Sequence, residues 1–354
     1  MRGMKKALIA MSGGVDSSVA AYLTKQAGYD CIGVTMRLFG GDSAQESKCC
    51  SLDDVLDAKS VARRLGIPHH TFNFKSDFRK KVIEPFIAAY ENGATPNPCI
   101  ECNRSLKFSA LFERAKALGC DYIVTGHYAR ITRDGEKYSL CRAKDSGKDQ
   151  SYVLYSLTQE QLAHTLFPLG ELSKEETRAI AEREGFINAD KPDSQDICFI
   201  PDGDYAAFIR SHTSREYPEG DFVDADGNVL GKHKGIINYT VGQRKGLGIA
   251  LGAPAYVKEI DVKNNRIVLC GNGELFGDEL YAAGFNWVSG QTPEGEISCT
   301  ASVRYRGAVR QAVAAATGDG TVHIKFLKPQ RAITKGQAVV LYSGDTVLGG
   351  GTIV

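Results

Sequence analysis

The run Ser12-Gly13-Gly14-Val15-Asp16-Ser17-Ser18 constrains this chain more than any other segment. It follows a short apolar stretch, residues 7–11, and opens a helix-patterned stretch that runs to Gln26, with Gly28 where a helix C-cap is expected. Two glycines let backbone approach an anion without Cβ clashes. The serine hydroxyls and the free N–H groups of a helix start can then cradle a phosphate. The run lacks the Gly-Lys-Ser/Thr of a Walker A loop and the spacing of a dinucleotide fingerprint, which disfavours both classes. A bare glycine turn with a Ser/Asp cap would explain an isolated Ser-Gly-Gly. It explains less once a strand precedes, a helix follows and an acid sits between them.

The rest of the first half keeps the same rhythm. Strands are predicted at 31–36, 69–74 and 121–127, and helices at 52–65, 78–90 and 104–118. Strand alternating with helix gives an α/β fold, a Rossmann-like open parallel sheet whose ligands bind at the carboxyl ends of the strands. After about residue 130 the rhythm weakens. A hairpin is expected around Asp134-Gly135, and Ser173-x-x-Glu176 is a capping box opening a short helix to Glu184. Beyond 205 helical signals nearly vanish, and β-prone runs at 256–262 and 266–270 are separated by Asn264-Asn265. Three parts are expected: residues 1–205 as a nucleotide-binding catalytic domain, 206–272 as a small β-rich module, and 273–354 as a C-terminal β-barrel.

Composition limits the function classes. With 354 residues, 43% hydrophobic and 24% charged, the chain can bury ordinary cores. No apolar run reaches the roughly 18 residues of a membrane span. The apolar stretch near the N-terminus is too short for a signal-peptide core, so a cytoplasmic protein with no membrane contact is expected. Lys+Arg 43 against Asp+Glu 42 leaves a net charge of +1, so any nucleic-acid surface must be a local patch.

Ten cysteines are many for such a chain. Cys31, Cys120, Cys141, Cys270 and Cys299 sit singly in apolar stretches and read as small buried hydrophobes. Cys99 and Cys102 form a C-x-x-C in the loop Thr95-Pro96-Asn97-Pro98-Cys99-Ile100-Glu101-Cys102, just before a predicted helix. A helix N-terminus lowers a thiol pKa, as a sulfur nucleophile requires. Gly126-His127-Tyr128 ends a strand at the same sheet edge, and Cys198 lies in Asp193-Ser194-Gln195-Asp196-Ile197-Cys198-Phe199. The vicinal pair Cys49-Cys50 carries no assignment.

The glycine-serine run resembles the PP-loop of the ATP pyrophosphatases, which cleave ATP to AMP and pyrophosphate. Together with Pro96-Asn97-Pro98, Cys102-Asn103, Lys148-Asp149-Gln150 and the Cys198 motif, it resembles the bacterial-type tRNA-specific 2-thiouridylases, in order across nearly the whole chain. The resemblance implies ATP-dependent 2-thiolation of a wobble uridine in tRNA, with a sulfur donor such as a cysteine desulfurase or a sulfur-relay protein. It implies ATP and Mg²⁺ at Ala10, Met11, Ser12, Gly13, Gly14, Val15, Asp16, Ser17, Met36 and Gly126. The target base would meet Asn97, Pro98 and Cys99. The tRNA, through its anticodon stem-loop, would contact Lys148, Asp149, Gln150, Arg304 and Tyr305. Cys198 would carry a persulfide, with Cys102 as the partner thiol that frees the sulfur or closes a disulfide. Many members carry Asp where this chain has Cys99. Cys99, Cys102 and Cys198 could instead hold an iron–sulfur cluster whose open iron binds a hydrosulfide and delivers it to C2, or the C-x-x-C could bind zinc with a fourth ligand such as His127. Another PP-loop adenylating enzyme, such as an amide-forming nucleotide ligase, is the alternative activity.

Two acid-free stretches could supply an RNA surface. Residues 231–250 carry Lys232, Lys234, Arg244 and Lys245, and residues 298–318 carry Arg304, Arg306 and Arg310, with Tyr239 and Tyr305 able to stack on bases. The acidic stretch 171–184 reads as the solvated face of a helix, and His69-His70 as structural.

Overall fold

A computed structural model describes residues 4–39, 52–193 and 197–354. The apolar run near the N-terminus forms strand β1 (Lys6–Ala10), whose Ala7, Leu8 and Ile9 are wholly buried. Helix α1 (Val15–Gln26) lies directly after the glycine turn and ends where Gly28 adopts a φ of +85°. Strands β2 (Asp30–Arg37), β3 (His69–Asn73) and β4 (Tyr122–Val124) follow, with helix α2 (Leu52–Leu65) between β2 and β3. A hairpin, β5 (Arg130–Asp134) and β6 (Lys137–Cys141), turns at Gly135 and precedes the two-residue strand β7 (Thr165–Leu166). The parallel sheet has the order β3-β2-β1-β4-β7, which puts the carboxyl ends of β1 and β4 side by side.

Several local expectations shift. The strand expected over 121–127 ends at Val124, because the chain must turn so that Gly126 can pack on α1. The helix expected over 78–90 begins at Lys75 and passes through a π-type turn, Arg79–Ile83. The C-x-x-C is not a loop before a helix: Pro98–Cys102 is the first helical turn itself, capped by Asn97 and continuing through a π-type stretch, Asn103–Ala110, to Ala117. Strand β7 and the helices Gln159–Ala163 and Tyr205–His212 lie where no periodic element was read.

The middle module is a four-stranded sheet, order β10-β11-β8-β9, made of β8 (Gly220–Val223), β9 (Val229–His233), β10 (Tyr256–Asp261) and β11 (Arg266–Cys270) around Phe222, Val257 and Ile267. The C-terminal strands are β12 (Phe276–Trp287), β13 (Glu296–Ser302), β14 (Arg310–Ala316), β15 (Val322–Arg331), β16 (Ala338–Ser343) and β17 (Thr346–Ile353). They run β12-β15-β14-β13-β16-β17 in antiparallel order, and the β12–β17 pairing closes them into a six-stranded barrel. The fold is therefore the expected one: a parallel α/β sheet, a β-rich module and a β-barrel. Strand β6 pairs with β17 at Cys141 and Thr346, which joins the hairpin to the barrel.

Candidate active site

The nucleotide loop is built on the end of β1. Met11 N–H donates to the Val34 carbonyl at 2.8 Å, and Thr35 Oγ1 donates to the Met11 carbonyl at 2.8 Å, so β2 fixes where the loop leaves the sheet. Ser12 N–H then donates to Ser17 Oγ at 3.1 Å, and Ser17 Oγ donates to the Gly14 carbonyl at 2.9 Å, folding the loop back onto its own helix. Gly13 has a φ of +79°, and a Cβ there would stand 2.3 Å from the Asp54 carbonyl oxygen. Gly14 is the N-cap of α1 and offers no side chain to its first-turn N–H groups, which leaves them for an anion. A Cβ on Gly126 would lie 2.8 Å from Ser17 N, so β4 closes the other side. Ala10, Met11, Val15 and Met36 complete the wall, Met36 being buried in β2.

Asp16 faces a set of partners that sequence reasoning did not find. Its Oδ1 accepts from Tyr128 Oη at 2.9 Å and from Lys174 Nζ at 2.6 Å; its Oδ2 accepts no bond from the described residues. Lys174 also reaches Asp193 Oδ1 at 2.7 Å, while Lys148 holds Asp193 Oδ2 at 2.8 Å and Arg178 adds a contact at 3.3 Å. Burial opposes a charge on Asp193, but the Lys148 and Lys174 hydrogen bonds outweigh it and hold the carboxyl below its usual range. The helix read as a solvated face thus begins with a buried lysine, only 7% of its side chain exposed. Asn188 Nδ2 donates to the Gly13 carbonyl at 2.8 Å and to Ser18 Oγ at 2.9 Å, and Lys191 bridges Asp54 and Asp57.

The thiols gather on the neighbouring wall. Cys102 is buried in the same apolar cluster as Met36 and Phe199, and half-buried Cys198 packs against it. Cys99 is reachable by solvent, yet protein crowds its sulfur. That desolvation, with the Cys198 sulfur second, pushes its pKa up to about 11, against a weaker pull from Lys107. The lowering expected from a helix N-terminus is outweighed at Cys99 by that desolvation; its N–H donates to the capping Asn97 Oδ1 at 3.1 Å. Pro98 is buried behind them. Tyr305 from the barrel lies within electrostatic reach of Cys99, which brings the C-terminal domain to the thiols. Buried His127 is held neutral, first by desolvation and then by Lys107 beside it.

Two sequence expectations about these cysteines find no counterpart in the structure. Cys99, Cys102 and Cys198 take part in no disulfide. Among the described residues no three His, Cys, Asp or Glu side chains converge as a metal site. The three thiols therefore do not present an iron–sulfur ligand set, nor do Cys99, Cys102 and His127 present a zinc set. Ser194, Gln195, Asp196, Cys49 and Cys50 lie outside the described residues.

The segments expected to meet RNA divide. Asp149 caps Ala143 N–H and Ser151, Gln150 Oε1 accepts from Tyr128 N–H at 2.9 Å, and Lys148 is committed to Asp193. Arg304, Arg306, Lys234, Arg244 and Lys245 are exposed. Tyr305 is half-buried beside Tyr152, whereas Tyr239 is only 3% exposed and is core rather than a stacking platform. No helix among the described residues is long and apolar enough to cross a membrane.

Comparison with known proteins agrees across the whole length. Residues 5–202 match a family model described as a tRNA methyl transferase HUP domain, 206–271 a tRNA methyl transferase PRC-barrel domain, and 277–353 an aminomethyltransferase beta-barrel domain. The chain is 51% identical over 353 residues to a tRNA-specific 2-thiouridylase MnmA of Clostridioides difficile, covering 99% of this chain and 98% of that one. It is 49% identical over 356 residues to the protein of the same name from Lachnoclostridium phytofermentans, covering 99% and 100%. Among solved structures, a 4-thiouridine synthetase–RNA complex with bound ATP aligns at 20% identity with a TM-score of 0.40, over 56% of this chain and 45% of that one, too loosely to place any residue.

Proposed function

The chain belongs to the tRNA-specific 2-thiouridylase family, and from that premise we propose that it adenylates the C2 oxygen of a wobble uridine in tRNA and replaces that oxygen with sulfur carried on Cys198. The observation that supports this reading is the thiol grouping: the Cys198 sulfur lies within electrostatic reach of Cys99, which shares a helical turn with Cys102, and Cys102 belongs to the same apolar core as Met36 of the nucleotide side. Both half-reactions can then act on one base.

The residues divide the work. The loop from Ser12 to Ser17 holds the phosphates of ATP, and Asp16 Oδ2, which takes no donor from the described residues, suits a Mg²⁺ ion that would shield their charge. The uridine must be splayed from the anticodon loop to reach the site, where Asn97, Pro98 and Cys99 receive it. Because its pKa is pushed up to about 11, Cys99 meets the base as a neutral thiol. The C2 oxygen attacks the α-phosphorus of ATP and pyrophosphate leaves. The terminal sulfur of a Cys198 persulfide attacks C2, and the C2–O bond breaks with AMP departing. Cys102 as thiolate then attacks Cys198 Sγ, breaking the S–S bond to the base and leaving a thiocarbonyl. The two cysteines finish as a transient disulfide, which an external thiol reduces. A cytoplasmic sulfur donor, a cysteine desulfurase or a relay protein, supplies the next sulfane sulfur.

The test is direct. Purified protein with ATP, Mg²⁺, a persulfide donor, a thiol reductant and an unmodified tRNA transcript should yield 2-thiouridine with one AMP per base. Absence of AMP release would sink the adenylation step. Cys102→Ser and Cys198→Ser should each abolish thiolation. ATP-to-AMP turnover that delivered nitrogen instead, and survived both changes together, would favour the amide-forming alternative.

A further inference from the structure

We propose that Lys174 is a positioning residue that ties the Cys198 loop to the nucleotide loop. The inference rests on the thiolation reading above and deepens it. Lys174 is the first residue of the helix Lys174–Arg183, directly after its Ser173 cap, and its ammonium is buried between two carboxylates from distant parts of the chain. One is Asp16, in the loop that takes the phosphates; the other is Asp193, five residues before Cys198. A buried ammonium needs its counter-charges, and Asp16 and Asp193 supply them, Asp193 being held by Lys148 and Arg178 as well. The three groups therefore hold one another in place.

The anchoring has a short reach to the sulfur. Five residues span at most about 18 Å when fully extended, so fixing Asp193 limits how far from the nucleotide loop Cys198 can lie. The segment leading to Asp193 is pinned to the same loop a second time, by Asn188 on the Gly13 carbonyl. A charge that arrives at Asp16, such as the cation escorting ATP, competes for the carboxylate that Lys174 holds. Lys174 can then lean on Asp193 alone, so the state of the nucleotide loop is felt at the Cys198 loop. The role is to keep the sulfur waiting where the adenylated base will be, so that sulfur rather than water meets the activated C2.

The experiment reads AMP released per 2-thiouridine formed, with ATP, Mg²⁺, a persulfide donor and transcript tRNA. Wild-type enzyme should give a ratio near one. Lys174→Met and Asp193→Asn should each raise it by about tenfold, the size of one lost interaction between contacting residues. The double variant should be no worse than the worse single, because both changes cut the same tie. Lys174→Arg should restore part of the coupling, and Arg183→Gln, on an exposed position of the same helix, should leave the ratio at one. Thermal melting identifies any variant that fails to fold; if Lys174→Met does, Asp193→Asn carries the test alone. A raised KM for ATP in Lys174→Met with normal coupling in Asp193→Asn would overturn the proposal, as would effects that multiply in the double variant. A wild-type enzyme that releases no AMP with tRNA would instead overturn the thiolation reading beneath it.

Discussion

At the scale of single residues, the site depends on two departures from ordinary behaviour. The first is Cys99, whose surroundings hold it as a thiol with a pKa near 11. Since only the thiolate reacts with an alkylating agent, Cys99 should be modified slowly by iodoacetamide at pH 7.5, and its rate should climb with pH without levelling below about 10. Peptide mass mapping across that range checks it; a plateau near pH 8 would show a thiol of normal acidity. The second is Gly13, with φ at +79° and the Asp54 carbonyl where a Cβ would lie. Because the obstacle is backbone and cannot swing away, Gly13→Ala should lower stability by about 2 kcal/mol through strain and clash, and raise the KM for ATP. Urea unfolding and initial rates measure the two effects. Both glycines of the loop were legible in the sequence. The raised pKa of Cys99 was not, because it comes from atoms supplied by distant segments, Cys198 among them.

At the scale of elements, short-range signals read well and tertiary ones did not. The strand–turn–helix from β1 to α1, the capping box at Ser173 and the hairpin at Gly135 all have local causes, and each stands where the sequence put it. Strand β7 has two residues and no period to detect; it exists because β4 offers it an edge. Lys174 sat in an acidic stretch that looked solvated, and nothing local reveals that Asp16 and Asp193 converge on it. The end of β4 carries a further consequence. His127 is buried, its Nδ1 lies 2.7 Å from Thr125 Oγ1, and its pKa is held well below 6.5. The unfolded chain binds a proton there as pH drops through about 6.5, whereas the folded chain does not, so stability is full above that pH and declines below it. Below that pH this single group lowers stability as the pH falls, by no more than about 1.36 kcal/mol per unit. His69, lowered to about 4 by its own burial, acts in the same direction. Denaturant midpoints at pH 7.5 and 5.0 should therefore fall less for His127→Gln than for the wild type; equal drops would show that His127 titrates normally in the folded chain.

At the scale of the whole molecule, a net charge of +1 must be reconciled with binding a polyanion. The fold does it by sorting charge rather than by adding it. In the catalytic domain the cations nearest the nucleotide loop are spent internally: Lys174 on Asp16 and Asp193, Lys148 on Asp193, Lys191 on Asp54 and Asp57. The exposed arginines of the barrel have few acids to answer them, and the turn that bears Arg304 and Arg306 also sets Tyr305 within reach of Cys99. On the function proposed above, tRNA seated on that turn would meet the thiols. Lys232 is a built-in contrast, because it lies in an equally acid-free stretch of sequence yet is paired with Asp221 at 2.7 Å across the β8–β9 ladder. Local sequence gave the two stretches equal weight, and only strand pairing tells them apart. If Arg304 neutralises one phosphate, Arg304→Ala should weaken tRNA binding and reduce the slope of log K against log[salt] by roughly one. Lys232→Ala, whose charge is already answered, should leave that slope within error of wild type. Filter binding between 50 and 300 mM salt, a range of about that width being needed to fix a slope, separates the two. Equal losses for both variants would mean that the RNA surface extends over the middle module and that the barrel turn has no special part in seating the wobble base.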